Sequence, residues 1–243
     1  MKKVQIFRTL CIAAAFVFAA NVSQAQLRQS IFLNGNLPVS SWASTNVTTF
    51  GGNPVVPLTP ANAGKAASLG FGAGYRAQYL FDVGMGEVAP FVNVDVLWNT
   101  VSKSINDAYT QYNMSATTYF NVPAFVGVSY FYDDLFSNIT LFAEAGIGAD
   151  FFFMTAEGKK NQSPDMWYAY KPSVSVAGEF GLGAYFGRHV SAGIHYYILG
   201  KHAIDMTSKT ADNHPVEQTY YTTPGNRPTR DLGSLMLRIG FHL

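Results

Sequence analysis

A segment in the middle of the chain alternates strictly between apolar residues and polar or small ones. From Ile139 to Phe151 every odd position is apolar, and the even positions carry Thr, Glu, Gly and Asp, with Phe142 as the exception. Only a β-strand has this period of two. The segment exceeds the roughly 5–6 residues usual in soluble strands and meets the roughly 9–11 residues that a tilted strand needs to cross a bilayer. It therefore predicts a membrane-spanning β-strand.

The composition supports strands in a membrane rather than a soluble domain or membrane helices. Charged residues make up 13% of the 243-residue chain, against about 25% in soluble domains. No run of about 18 apolar residues occurs after the N-terminal segment, which argues against spanning helices. The formal net charge of +1 gives no electrostatic reason to expect nucleic acid as a partner.

Residues 1–25 have the features of a cleaved signal peptide. Lys2, Lys3 and Arg8 precede an apolar centre, and Ser23-Gln24-Ala25 forms a small-x-small cleavage site. The one cysteine, Cys11, lies within this segment, so we expect a mature chain, residues 26–243, without disulfides, thiol catalysis or thiolate metal sites.

Alternation recurs along the mature chain in eight segments. They cover about 28–37, 68–79, 92–99, 120–130, 139–151, 173–183, 190–198 and 234–243. The connections after the first, third, fifth and seventh segments are long and polar, at 38–64, 101–117, 155 to about 165, and 205–230. The others are short turns, at 82–87, 133–138 and 187–188.

An even strand number with alternating long and short connections is typical of an up-and-down transmembrane β-barrel. We predict eight antiparallel strands, both termini and the short turns on the periplasmic side, and long extracellular loops. Part of each loop could continue as a β-hairpin, so ten strands are the alternative. Tyr and Trp near strand ends are typical of interfacial girdles; the candidates are Tyr79, Trp98, Tyr119, Tyr130, Trp167 and Tyr168.

The mature chain resembles the small eight-stranded outer-membrane barrels, the class of OmpX and of the OmpA membrane domain, in the form common among Bacteroidetes. The features that carry the resemblance are the cleavage site, the eight segments and the C-terminal Arg238-Ile-Gly-Phe-His-Leu243, which is similar to the assembly signal of such barrels. The resemblance implies a bacterial outer-membrane location, contact with lipid and lipopolysaccharide, and insertion by the barrel-assembly machinery.

The polar face of the strands should line the lumen, because eight strands enclose a space just filled by side chains. Counting from the strand ends places six inward residues in one layer: Arg76, Asp95, Glu144, Glu179, His195 and Arg238. Buried ions are tolerated when they are paired, so we predict a luminal polar network. A structural plug is the favoured interpretation, and a gated pore or proton path is the alternative.

No enzymatic, metal or cofactor site is predicted. Some small outer-membrane barrels modify lipid A with a Ser/His/acid set, and this chain holds five histidines, at positions 189, 195, 202, 214 and 242. Their spacing singles out no triad, and they lack metal-ligand spacing.

The long loops are the remaining place for function, since loops on a rigid scaffold commonly carry binding. The aromatic candidates for contact with an extracellular protein or glycan are Trp42, Phe50, Tyr220 and Tyr221. We expect a non-enzymatic barrel, either a monomer or an accessory subunit of a membrane complex, with a structural or surface-binding role. A narrow channel for small solutes is the alternative.

Overall fold

The computed structural model describes residues 26–46, 49–50, 53–54, 63–111, 113–136, 138–159, 166–210 and 228–243. Eight long strands dominate: β1 (Gln26–Val39), β4 (Ala67–Asp82), β5 (Glu87–Val101), β7 (Thr118–Phe136), β8 (Ile139–Met154), β11 (Ser173–Phe186), β12 (Val190–Ala203) and β14 (Thr229–His242). The shorter elements are a 3-10 turn (Ser41–Ala43), β2 (Thr49–Phe50), β3 (Asn53–Pro54), α1 (Lys103–Gln111), β6 (Met114–Ser115), β9 (Glu157–Lys159), β10 (Met166–Tyr170) and β13 (Met206–Thr210).

The eight long strands close into one barrel. Each pairs antiparallel with the next long strand along the chain, and β14 returns to pair with β1. The predicted all-β, eight-stranded, up-and-down barrel is confirmed, and the ten-stranded alternative is wrong, because the additional strands form separate small sheets. Closure leaves no unpaired sheet edge in the barrel wall.

The barrel is apolar outside and polar inside, the reverse of a soluble protein. Ile147, Leu182 and Leu237 on the outer face are each at least 60% exposed, whereas Glu144 on the inner face is 6% exposed. An outward apolar band around a closed barrel is the arrangement that a bilayer requires. The period-two pattern therefore sets which side of every strand meets lipid.

The two ends of the barrel differ. At the short-turn end, defined by the connections β4–β5, β7–β8 and β11–β12, few residues join the strands, and Gly84, Gly86 and Gly187 there adopt positive φ. At the opposite, long-loop end, the connections contain all the shorter elements. This pattern matches the predicted alternation of long and short connections.

A helix and a small sheet occupy the long-loop end, where the sequence predicted polar loops with β-hairpin extensions as the alternative. The nine residues of α1 bury Ile105, Ala108 and Tyr109, whose i, i+3, i+4 spacing places them on one helix face. Strands β6, β9, β10 and β13 form a four-stranded sheet. We call α1 and this sheet the cap. None of the helices in the described ranges is long and apolar enough to span a membrane.

The expected aromatic girdle is present in part. Tyr79 and Tyr130 are exposed on the outer face near the short-turn end, and Trp98 packs outside against Phe71, with ring centroids 4.7 Å apart. Tyr119 is fully buried and faces the barrel interior, so its assignment to the girdle is wrong. The Trp167 side chain and residues 1–25 lie outside the described part of the structure.

Glycine lies beside five of the six titratable residues of the luminal layer; the exception is Arg76, which has Ser30 and Asn93 beside it. The strand register places Asp95 beside Gly74, Glu144 and His195 beside Gly181, Glu179 beside Gly146, and Arg238 beside Gly193. A Cβ atom added to Gly74 would overlap the Asp95 carboxylate, and one added to Gly181 would overlap the His195 ring. These glycines provide space that no larger residue would leave.

Replacing Gly74 with Val should destabilise the barrel by about 1–3 kcal/mol or prevent its folding, because the new side chain would displace Asp95. The matched control is Ala73→Val, one residue earlier on the lipid-facing side, which should fold normally. Urea unfolding in lipid vesicles, followed by heat-modifiable gel migration, measures both. Equal stability of the two variants would contradict the close contact.

Candidate functional site

The structure brings all six predicted luminal residues into one buried cluster. Its centre is the pair of Arg76 on β4 and Glu144 on β8, each below 7% exposed. Arg76 Nη2 donates to Glu144 Oε1 at 2.7 Å, and Arg76 Nη1 donates to the second carboxylate oxygen. A bidentate guanidinium–carboxylate pair is among the strongest polar contacts available in a protein interior.

A second ion pair joins Arg238 on β14 to Asp95 on β5. Arg238 Nη2 lies 2.9 Å from Asp95 Oδ2, and Arg238 Nη1 lies 3.9 Å from Glu144 Oε1. The second distance links the two pairs, so four strands, β4, β5, β8 and β14, share one network.

Glu179 and His195 complete the predicted set. His195 Nδ1 lies 3.0 Å from Glu144 Oε1, and Glu179 Oε1 lies 3.7 Å from Arg76 Nη2. Three carboxyl groups, those of Asp95, Glu144 and Glu179, therefore face two guanidinium groups and the His195 imidazole.

Neutral residues that the sequence did not single out satisfy the second pair. Asn34 Nδ2 donates to Asp95 Oδ1 at 2.9 Å, while Tyr197 Oη and Asn93 Nδ2 each donate to Asp95 Oδ2 at 2.7 Å. The signal available was the inward position of Asn34 and Asn93. Tyr197 has the same inward position, two residues after His195 on β12, but a tyrosine is by residue type equally compatible with the membrane interface.

Aromatic rings stack on both guanidinium groups. Arg76 Cζ lies 4.0 Å from the ring centroid of Phe91, and Arg238 Cζ lies 4.6 Å from that of Phe32. A desolvated cation over an aromatic face gains up to about 2 kcal/mol. These inward phenylalanines depart from the polar pattern and supply that contact.

Apolar layers close the lumen on both sides of the ions. Towards the short-turn end, Phe131, Phe142 and Tyr185 pack together. Towards the long-loop end lie Leu97, Phe125 and Met236, each at most 2% exposed. The described side chains thus fill the lumen as a plug. No group of three or more His, Cys, Asp or Glu residues in the described ranges has the geometry of a metal site.

Trp42 seals the mouth of the barrel and does not project from a loop. It is fully buried, donates from Nε1 to the Gly233 carbonyl oxygen at 2.8 Å, and packs edge-on against Tyr119 and Phe152. Its prediction as an exposed contact residue conflicts with this burial. The physical reason is that a large apolar ring at the mouth gains more from packing than from exposure.

The structure does not describe the side chains of the other three loop candidates. Phe50 lies in β2, where the structure describes the backbone alone. Tyr220 and Tyr221 lie outside the described residues.

A buried carboxyl group ties the cap together. Glu157 on β9 is fully buried, and its oxygens accept hydrogen bonds from Tyr109 of α1 and from Tyr170 of β10, the latter at 2.5 Å. Burial raises the pKa of Glu157 to about 7, although the two tyrosine hydroxyls act in the opposite direction. The helix and the sheet of the cap therefore meet at a group that titrates near neutral pH.

Comparison with known proteins gives likenesses of fold alone. No protein-family model matches the chain, and no curated protein is similar to it in sequence. Among solved structures, Neisserial surface protein A is 11% identical, with 90% of this chain and 97% of that chain covered and a TM-score of 0.41. A major outer membrane protein from Thermus thermophilus is 13% identical, with 90% and 100% covered and a TM-score of 0.46.

A third similar structure is Ail, the attachment invasion locus protein of Yersinia pestis, in complex with the heparin analogue sucrose octasulfate. It is 11% identical, with 90% and 99% covered and a TM-score of 0.39. This chain has the fold of the small eight-stranded outer-membrane barrels. Its closed antiparallel strand pairing and its apolar exterior show this fold.

Glu144→Ala should destabilise the barrel by about 3–5 kcal/mol, because it leaves the buried Arg76 guanidinium without its counter-charge. The double variant Arg76→Met with Glu144→Leu should recover most of this loss, since both charges are then removed. Asp107→Ala, which deletes an exposed carboxylate of α1, is the control and should change stability little. Urea unfolding in vesicles gives all four values; equal effects of the two alanine variants would contradict the network.

The cap should be most stable at acid pH and should loosen as pH rises towards and beyond about 7. Because the folded cap binds the Glu157 proton more tightly than an exposed carboxyl with a pKa of 4.5, its stability is complete below that value and falls as pH rises through the folded pKa. Hydrogen exchange of the α1 amides, corrected for intrinsic rates, should accelerate over this range. Glu157→Gln should remove the dependence and Asp107→Asn should retain it.

Proposed function

We propose that this chain is an integral barrel of the bacterial outer membrane that does not conduct, and that acts through its long-loop end at the cell surface. The observation that carries the proposal is the filled cross-section of the lumen. At its middle, Arg238, Asp95 and Tyr197 are each at most 2% exposed and bond to one another. Ion flow would require this layer to separate.

The orientation follows from the asymmetry of the connections. In outer-membrane barrels the short turns are periplasmic and the longer loops are extracellular. With that orientation both chain ends are periplasmic, and the cap, the barrel mouth closed by Trp42 and the long connections are at the extracellular side. Partners in this setting are outer-membrane lipid and lipopolysaccharide, with the barrel-assembly machinery acting during insertion.

The cap supports a binding role because it is built as a folded surface on a rigid base. Ile105 and Tyr109 of α1 belong to the apolar cluster that fills the barrel mouth, and Met114 of β6 and Tyr170 of β10 pack against that cluster. Binding residues are commonly held in this way on loops above a scaffold. An extracellular protein or glycan is the partner class that such a surface would meet, whether the barrel is a monomer or an accessory subunit.

Single-channel recording of the refolded mature barrel should show no discrete openings. Folding is checked first by heat-modifiable gel migration, so that an absence of channel openings can be assigned to a folded barrel. Glu144→Ala and Arg238→Ala should lower stability without creating selective flux, because apolar layers lie on both sides of the ions. Openings in the wild-type barrel whose selectivity changes with Glu144 would support the channel alternative and overturn this proposal.

A further inference from the structure

A groove indents the lipid-facing side of the barrel wall on strands β8, β11 and β12, in the half near the short-turn end. Its volume is about 900 Å³, within the roughly 300–1,000 Å³ usual for ligand pockets. The outward side chains that line it are Leu141, Ala143, Phe180, Leu182, Ala184, Ala192, Ile194, Tyr196 and Leu237. The groove is therefore apolar and opens towards the bilayer.

The strand register accounts for this groove. Ala184 of β11 lies directly opposite Ala192 of β12, so two small side chains stand side by side on the outer face. Leu141 lies beside Ala184 on β8, and the next outward pair, Leu182 and Ile194, projects with at least 60% exposure. A pair of alanines among projecting side chains leaves a depression in the apolar exterior.

A second depression, of about 600 Å³, continues from the first towards the middle of the barrel. Phe180 lines both of them. The second depression is centred on Gly178, which has no side chain and lies between Ile147 of β8 and Ile198 of β12. We call the two depressions together the outer groove; it follows β11 from Ala184 to Gly178.

The outer groove has the length of one leaflet. The six steps from Ala184 to Gly178 span about 20 Å of strand, which is about 15 Å of membrane depth at the usual strand tilt of 35–45°. The hydrocarbon core is roughly 30 Å thick. A lipid acyl chain occupies one leaflet and fits this length, whereas a partner that crosses both leaflets, such as a second copy of this chain, would meet the groove over only half of its span.

The end of the groove nearer the turn lies beside groups that suit a phosphate headgroup. Arg188 is exposed in the turn between β11 and β12, four positions after Ala184 and four before Ala192. Tyr130 and Tyr132 line an adjoining depression of about 380 Å³, and exposed tyrosines are typical of the headgroup level. A guanidinium group recognises phosphate through paired hydrogen bonds.

We propose that the outer groove binds one phospholipid, with an acyl chain between Ala184 and Gly178 and the phosphate at Arg188. This deepens the proposed contact with outer-membrane lipid, and the assignment of the lipid to the periplasmic leaflet rests on the orientation proposed above. The groove itself does not depend on whether the lumen conducts.

Dispersion attraction holds the acyl chain in place. A chain that lies in a groove contacts protein atoms on its floor and on both walls, whereas a chain on the convex part of the barrel contacts protein on one side. The attraction grows with the number of close atom pairs. The bound phospholipid should therefore exchange more slowly than the other lipids around the barrel.

Native mass spectrometry of the refolded mature barrel, released from vesicles that contain phosphatidylglycerol, tests the groove. We expect one retained phospholipid. Ala184→Leu with Ala192→Leu fills the groove and should lower the lipid-bound fraction by about tenfold, the effect of one or two methylene groups in an apolar pocket. The matched control is Ala73→Leu with Ala77→Leu, two outward alanines of β4 on the opposite side of the closed barrel, which should retain the lipid.

The headgroup contact is tested with diacylglycerol, which has the same acyl chains and no phosphate. Wild-type barrel should retain phosphatidylglycerol better than diacylglycerol, and Arg188→Gln should remove that difference. Lys103→Gln, which deletes an exposed cation of α1 at the long-loop end, should leave it unchanged. Equal retention of the two lipids by the wild-type barrel would overturn the assignment of Arg188.

Folding of every variant is checked by heat-modifiable gel migration. A folded wild-type barrel without retained phospholipid, or equal lipid loss in the two double-leucine variants, would overturn the proposed site. A dimer that is lost when the groove is filled would identify a second copy as the occupant and would also overturn it. Single-channel recording separates this proposal from the preceding one, because a conducting barrel that still retains the lipid would contradict only the filled lumen.

Discussion

The structure depends on one constraint, which is that the lumen of a closed eight-stranded barrel is just wide enough for its own side chains to fill, so the inward charged residues must pair with one another. Arg76 and Glu144 meet at its centre as a bidentate pair, and every other charged residue of the layer is arranged around them. Burying these ions is tolerated because each has a counter-charge, an amide or an aromatic ring within reach. The identity and position of the side chains in the lumen are therefore closely constrained.

Glycine is the second feature that allows long charged side chains to fit in the lumen. Long side chains on one strand need empty positions on the next, and the register supplies them by placing Gly74, Gly146, Gly181 and Gly193 beside Asp95, Glu179, Glu144 and Arg238. A register shift of one residue would turn every inward side chain towards lipid. The ion pairs and the glycines therefore favour the same strand register: the ions attract one another across the lumen, and the glycines leave space for their side chains.

The interior is continuous with the cap. Trp42, Tyr119 and Phe152 carry the packing of the lumen through the mouth, and Tyr109 extends it into α1. The packed interior thus continues from the lumen into the cap at the long-loop end. The proposed function lies at this end because the inner face of the barrel fills the lumen and its outer face contacts lipid.

The sequence by itself determined eight strand segments, the lipid-facing side of each and six titratable residues of the central luminal layer, because period-two alternation and the lengths of the connections are local properties of the chain. Only the tertiary structure decided which ions pair, that Asn34 and Tyr197 complete the network, that Trp42 is buried, and that α1 and the small sheet form a cap. The contacts of Ser173 with His202 and of His202 with Asp150 are likewise visible only in the tertiary structure. They join residues 29 and 52 positions apart, and such contacts arise from the shear and closure of the barrel, which alternation along a single strand does not encode.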